Sequence, residues 1–154
     1  MTRLLTLVVL VLALTAALAE AKSKRIQVTA KIVQQTFTGE LDTPKLGDQL
    51  ISSVELFDRH DEKEKVGTGA GVCTIVSVPP PPPNLEDTFL QCLLTATFDK
   101  KGQIIFGGTA PFPQPGIAGH FGILGGTDDF RKARGEATLS VISEKFQDAV
   151  FELE

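Results

Sequence analysis

Cys73 and Cys92 are the only cysteines in the chain. They flank a run of five prolines, and the midpoint between them falls between Pro82 and Pro83. If the segments on either side fold back on each other about that loop, the two side chains stand opposite one another on one face. Opposed Cβ atoms in an antiparallel pair lie about 4.5–5.5 Å apart, near the separation a disulfide needs. An oxidising compartment would close such a pair. Two outcomes stay open at this point: a Cys73–Cys92 bridge, or buried thiols lining the interior.

Few other residues are spaced for chemistry. His60 and His120 each stand alone. No arrangement of His, Cys, Asp and Glu has metal-ligand spacing, and there is neither a nucleophile elbow nor a phosphate-binding loop. No metal and no cofactor is expected. The run from Gly125 to Gly135 holds Thr127, Asp128, Asp129 and Arg134 between paired glycines. Thr127 and Asp129 can bond nearby amides, and Arg134 can fork onto Asp128 or Asp129. That group either locks a tight turn or brings Asp129 and Arg134 to the mouth of a site.

The segments that would carry these residues alternate with a period of two. Ile26, Val28, Ala30 and Ile32 share one face of a first strand, opposite Arg25, Gln27, Thr29 and Lys31. Leu50, Ser52, Val54 and Leu56 share a face in a second strand over residues 48–57. A third strand over residues 66–78 carries Gly67, Gly69 and Gly71 at alternate positions, where another backbone or a large side chain can approach closely. A fourth over 88–98 has Leu90, Cys92, Leu94, Ala96 and Phe98 on one face. Shorter strands are predicted over 103–106 and 120–124, then over 136–143 and 146–153. Residues 58–65 read as a charged turn, 79–83 as a stiff polyproline loop, 109–119 as a Pro/Gly-rich loop and 125–134 as a turn. No segment has a helical period. Eight short strands joined by turn signals predict an all-β single domain, an eight-stranded antiparallel β-barrel. Such a barrel holds packed side chains or one small ligand.

The first 19 residues read as a signal peptide. Arg3 supplies a positive start, residues 4–18 are almost wholly apolar, and Ala17-Leu18-Ala19 is a small-x-small cleavage site. The apolar run falls short of the roughly 20 residues a spanning helix needs. The mature domain is then 20–154, expected to be secreted and without a membrane span after cleavage. Without Arg3, 14 of the 15 basic residues remain against 19 acidic ones. A mildly acidic chain offers no electrostatic footprint for nucleic acid.

Two stretches resemble known families. Leu46-Gly47-Asp48, Leu56-Phe57 and the run from Lys65 through Gly67, Gly69 and Gly71 to Cys73 resemble plant allene oxide cyclases. Gly125-Gly126-Thr127, Asp129-Phe130 and Ala133-Arg134-Gly135, with Ala137-Thr138-Leu139, resemble the closing motif of plant dirigent proteins. The two families share an eight-stranded barrel with a hydrophobic lumen, commonly a homotrimer. The resemblance implies that Cys73 faces the lumen. Where the cyclases carry a first-strand glutamate, the first strand here offers Gln34 and Gln35 and no acid before Glu40. From the dirigent side it implies acidic and arginine residues at the pocket, with Asp48, Asp129 and Arg134 as the nearest counterparts. The candidate lumen or mouth residues are thus Gln35, Asp48, Cys73, Cys92, Asp129 and Arg134.

The expected function is a secreted barrel that binds a small hydrophobic molecule and steers its cyclisation or stereoselective coupling. If it is an enzyme, it is an isomerase or cyclase that works by confining one reactive conformer, which needs few titratable groups. The alternatives are a non-catalytic extracellular carrier, and a structural barrel filled by Phe89, Phe98, Phe106, Phe121, Phe130, Phe146 and Phe151.

Overall fold

A computed structural model describes residues 24–59, 63–80, 85 and 87–154. The signal-peptide reading, His60 and Pro81–Pro83 lie outside the described residues. The strands are β1 (Lys24–Phe37), β2 (Gln49–Asp58), β3 (Lys65–Ser77), β4 (Phe89–Phe98), β5 (Gly102–Pro111), β6 (Ala118–Gly126), β7 (Gly135–Ser143) and β8 (Phe146–Leu153). Each pairs antiparallel with the next, and β8 pairs with β1, so the sheet closes into an eight-stranded barrel in chain order. Closure leaves no outer strand without a partner, which removes the sheet edges that invite aggregation.

The alternation read from the sequence sets which side chains enter the barrel. Val28 and Ala30 on β1, Leu56 on β2, Ile75 on β3, and Leu90, Cys92, Ala96 and Phe98 on β4 all point inward and are buried. The glycines of β3 make room on that face. A Cβ on Gly69 would come within 2.8 Å of Val54 Cγ2, and one on Gly71 would overlap Leu94 Cδ2. Side chains from the neighbouring strands occupy the space those glycines leave empty.

Strands β5 and β6 are longer than predicted. The fifth runs on through Gly107, Gly108, Thr109 and Ala110 to Pro111, which pairs with Phe89. The small residues are needed where the walls approach: a Cβ on Gly107 would sit 2.6 Å from the Cys92 carbonyl oxygen. Pro111 stands at the strand's last position, where a missing amide is tolerated. Gly125 and Gly126 belong to the end of β6, and the turn that follows contains a short 3-10 segment, Asp128–Phe130.

One end of the barrel is plugged. Phe130 folds back from the β6–β7 connection and is 2% exposed. Its ring lies 5.4 Å from Phe98, which meets Phe151 at 5.9 Å; Phe151 in turn meets Phe106 at 5.2 Å, centroid to centroid. Such edge-on and tilted pairs add about 0.5–1.5 kcal/mol each beyond area burial. Phe121 completes the cluster at 6.0 Å from Phe106. Phe89 and Phe146, expected among the interior rings, face outward. Their neighbours Leu90 and Gln147 take the inward positions, so strand parity turns both phenylalanines to solvent.

Candidate functional site

The other end is open. It is formed by the C-terminal ends of β1, β3, β5 and β7 and the starts of the strands that follow them. Inside it lies a chamber of about 70 Å³. Leu50, Leu90, Leu94, Phe121 and Leu139 are among its apolar lining residues, and Gln35, Ser52 and Gln147 supply its side-chain amides and hydroxyl. A wider groove of about 470 Å³ adjoins the chamber and shares Gln35, Leu50, Pro113, Val141 and Gln147 with it. Phe37 and Phe112, edge to face at 6.1 Å, line the groove.

The groove exists because β8 stops short of the end of β1. The β1–β8 pairing covers Lys24 to Lys31 only, and the last bond between them runs from the Ile32 amide to the Lys145 carbonyl at 2.9 Å. From Val33 to Phe37, β1 pairs with β2 alone. Within that stretch the register slips by one residue. Ile32 pairs with Val54 and Gln34 with Ser53, leaving Val33 as the extra residue of a β-bulge. A bulge shifts the facing of every later side chain by one position. It turns Gln35 and Phe37 inward, opposite Ser52 and Leu50.

Cys73 and Cys92 occupy directly paired positions on β3 and β4 and form a disulfide, with Cα atoms 4.0 Å apart. The bridge lines the chamber. The register centred on the proline loop is therefore the one adopted, and the free-thiol alternative is set aside.

The six sequence candidates divide between two ends of the barrel. Gln35, Cys73 and Cys92 meet in the chamber wall. Asp48 stands at the rim but outside the lining: its carboxylate accepts the Lys45 amide at 2.8 Å, while its carbonyl accepts the Ile75 amide at 2.8 Å. It pins the β1–β2 loop. Asp129 and Arg134 are at the opposite, plugged end. The Asp129 amide bonds the Lys101 carbonyl at 3.1 Å, and Arg134 Nη1 donates to the Ala133 carbonyl at 2.7 Å. The turn is held by Thr127, whose hydroxyl accepts the Gln103 amide at 3.0 Å and donates to Asp128 at 3.2 Å. The motif's job here is to aim Phe130 at Phe98.

Ser52 and Gln147 were not singled out from sequence as site residues. Gln147 shares parity with Ala149, Phe151 and Leu153, and that signal was available. Val141, which shares a strand face with Ala137 and Leu139, also lines the chamber, as do Pro113 and Ile117, whose loop positions carried no such signal.

The electrostatics are simple. Among the described residues none that lines the chamber is ionisable, and Glu144 is the one ionisable residue lining the groove. His120 lies on the outer wall, with Nδ1 3.3 Å from Thr138 Oγ1. Glu55 is held below the ordinary carboxylate range by its hydrogen bond and charge contact with Lys65, Nζ to Oε1 2.9 Å, also on the outer wall. The chamber can hydrogen-bond a ligand and fix its conformation. Among the described residues its walls hold no acid or base.

The fold is that of dirigent proteins and of barrel-shaped cyclases. Among solved structures, the chain is similar to a pyocyanin demethylase (TM-score 0.67, 23% identity, 85% of this chain and 100% of that one). It is also similar to AbnU, an exo-specific intermolecular Diels–Alderase (0.65, 17%, 84% and 98%). A third is a pterocarpan synthase dirigent protein (0.59, 18%, 87% and 94%). At these identities the likeness is one of fold. No protein-family model and no curated protein sequence matches the chain.

Proposed function

We propose that the protein is an exported barrel that binds a small, largely apolar molecule in its lumen and steers a cyclisation or coupling by confinement. One observation carries this reading: a closed barrel sealed by Phe130 at one end and open at the other, with an apolar lining interrupted only by amides, a hydroxyl and a disulfide. A wall of this kind contributes orientation, and well-oriented reactants can gain several orders of magnitude in rate without a titrating group. The similar folds that perform cycloaddition and coupling support it. Export is supported by the N-terminal leader pattern and by the Cys73–Cys92 bridge, a bond that persists in oxidising compartments.

A carrier without turnover is the second reading, favoured by the missing acid and base. Two measurements separate them. A neutral fluorescent naphthylamine should bind the wild type and lose affinity in Leu94→Trp, which fills the chamber. A reactive diene–dienophile pair, or an oxidised phenol, should then give a stereochemically biased product with the protein present. Binding with an unbiased product supports the carrier; no binding sinks both readings.

Self-association belongs to the same proposal. Leu93 and Leu124, 53% and 60% exposed, line an outer groove with Val72. A homotrimer, as the dirigent resemblance implies, would cover them. Sedimentation equilibrium tests it: a monomer at high protein concentration removes this part.

A further inference from the structure

We infer that the lumen discriminates by charge: it accepts neutral molecules carrying a hydrogen-bonding oxygen or nitrogen and rejects carboxylates and sulfonates. The inference rests on the ligand-binding reading above and narrows its ligand class.

Among the described residues the chamber wall has no cation to meet an anion. Its polar side chains are Gln35, Ser52 and Gln147, and none of the three is hydrogen-bonded to another described side chain. Two amides and a hydroxyl can both donate to and accept from a carbonyl, hydroxyl or amine. They cannot neutralise a buried charge, and moving an unpaired ion out of water is far costlier than moving a hydrogen-bonded dipole. The approach adds a second filter. Among the described residues Glu144 is the one ionisable group on the groove leading to the chamber, and it is acidic. The lysines nearest in sequence to the rim, Lys45 and Lys145, are exposed and line neither space. An anionic ligand would pass a like charge and then lose its water against a wall with no counter-ion.

The size of the two spaces refines the ligand's shape. The chamber, at about 70 Å³, is far smaller than the adjoining groove at about 470 Å³. A compact neutral end fits inside, with the rest of the molecule along the unpaired half of β1, where Gln35 and Gln147 border both spaces. Long-chain fatty acids with a free carboxylate directed inward fall outside the class; their esters and alcohols fall within it.

The test uses two probes with one skeleton, N-phenyl-1-naphthylamine and 1-anilinonaphthalene-8-sulfonate, titrated into the mature chain. The chain has no tryptophan or tyrosine, so probe fluorescence is read with little background. The neutral probe should bind about tenfold more tightly or better. In Glu144→Gln the sulfonate should gain about two- to fivefold relative to the neutral probe. In Gln147→Lys, which brings a cation into the wall, the sulfonate should gain about tenfold and the neutral probe should weaken. Equal affinities in the wild type, or a sulfonate unmoved by both substitutions, overturn the charge filter and leave ligand binding standing. Failure of both probes to bind overturns the ligand-binding reading and this inference with it.

Discussion

Gln35 faces Ser52 across the β1–β2 pair at the barrel's mouth, although Gln35 and the inward-facing Ile26, Val28 and Ala30 have opposite parity. The extra residue at Val33 reconciles them. The same slip turns Phe37 toward Phe112, so one bulge supplies both a polar group and an aromatic wall to the entrance.

Deleting Val33 should therefore regularise the strand and leave the entrance in place. With the extra residue gone, Gln34 follows Ile32 directly, so the pairs Gln34–Ser53, Gln35–Ser52 and Phe37–Leu50 persist and Gln35 and Phe37 keep their inward positions. The expected result is probe binding close to the parent's, with stability changed by less than about 1 kcal/mol. Urea unfolding and a binding titration on one preparation measure both. Loss of binding would show that the shortened β1 re-pairs with β2 in another register and that the bulge is not what sets the facing of Gln35.

Much of this was legible in the sequence, and the exceptions have physical causes. The period-two runs on β1, β2 and β4, and the placing of Cys73 opposite Cys92, need only local parity and a loop midpoint. The bulge leaves no local mark, because Val33 is as good a strand residue as its neighbours and the slip is visible only against β2. Gly107, Gly108 and Pro111 read as breakers, yet β5 runs through them to its pairing with Phe89, and at Gly107 the wall comes too close for a Cβ. Asp129 and Arg134 sit in a turn that sequence shows as a turn. Which end of the barrel it caps depends on the order of all eight strands.

The disulfide should stabilise without being required for the chamber's shape. The cysteines are 19 residues apart, and closing a loop of that size restricts the unfolded chain by about 3 kcal/mol. The double variant Cys73→Ser/Cys92→Ser should lose that amount in urea and keep its strand circular-dichroism signal. Reductant should lower the wild-type midpoint to the variant's. A wild type indifferent to reductant would mean the bridge is absent in solution.

The closing turn separates stability from binding. Phe130→Ala removes the plug and should cost about 3–5 kcal/mol, the usual range for a buried phenylalanine. Asp129→Asn and Arg134→Ala touch exposed groups at the end away from the chamber, and each should stay within about 0.5 kcal/mol of the parent with unaltered probe affinity. A large drop in affinity for either would mean that the plugged end communicates with the ligand.

Binding of a neutral ligand should be flat from roughly pH 6 to 9, the range in which histidines and perturbed groups titrate. None of the described residues lining the chamber is ionisable, and His120 faces solvent beside Thr138. Glu55 has its carboxyl lowered by Lys65. A group lowered in the folded state contributes stability above its unfolded value and loses it as pH falls through the folded one, so any effect of this pair is confined to acid. Both partners are at the surface, where salt screens such pairs, and Glu55→Gln should leave the unfolding midpoint near that of the parent at neutral pH. A binding curve with a midpoint near neutrality would require a titrating group at the ligand, and the uncharged chamber could then no longer account for recognition.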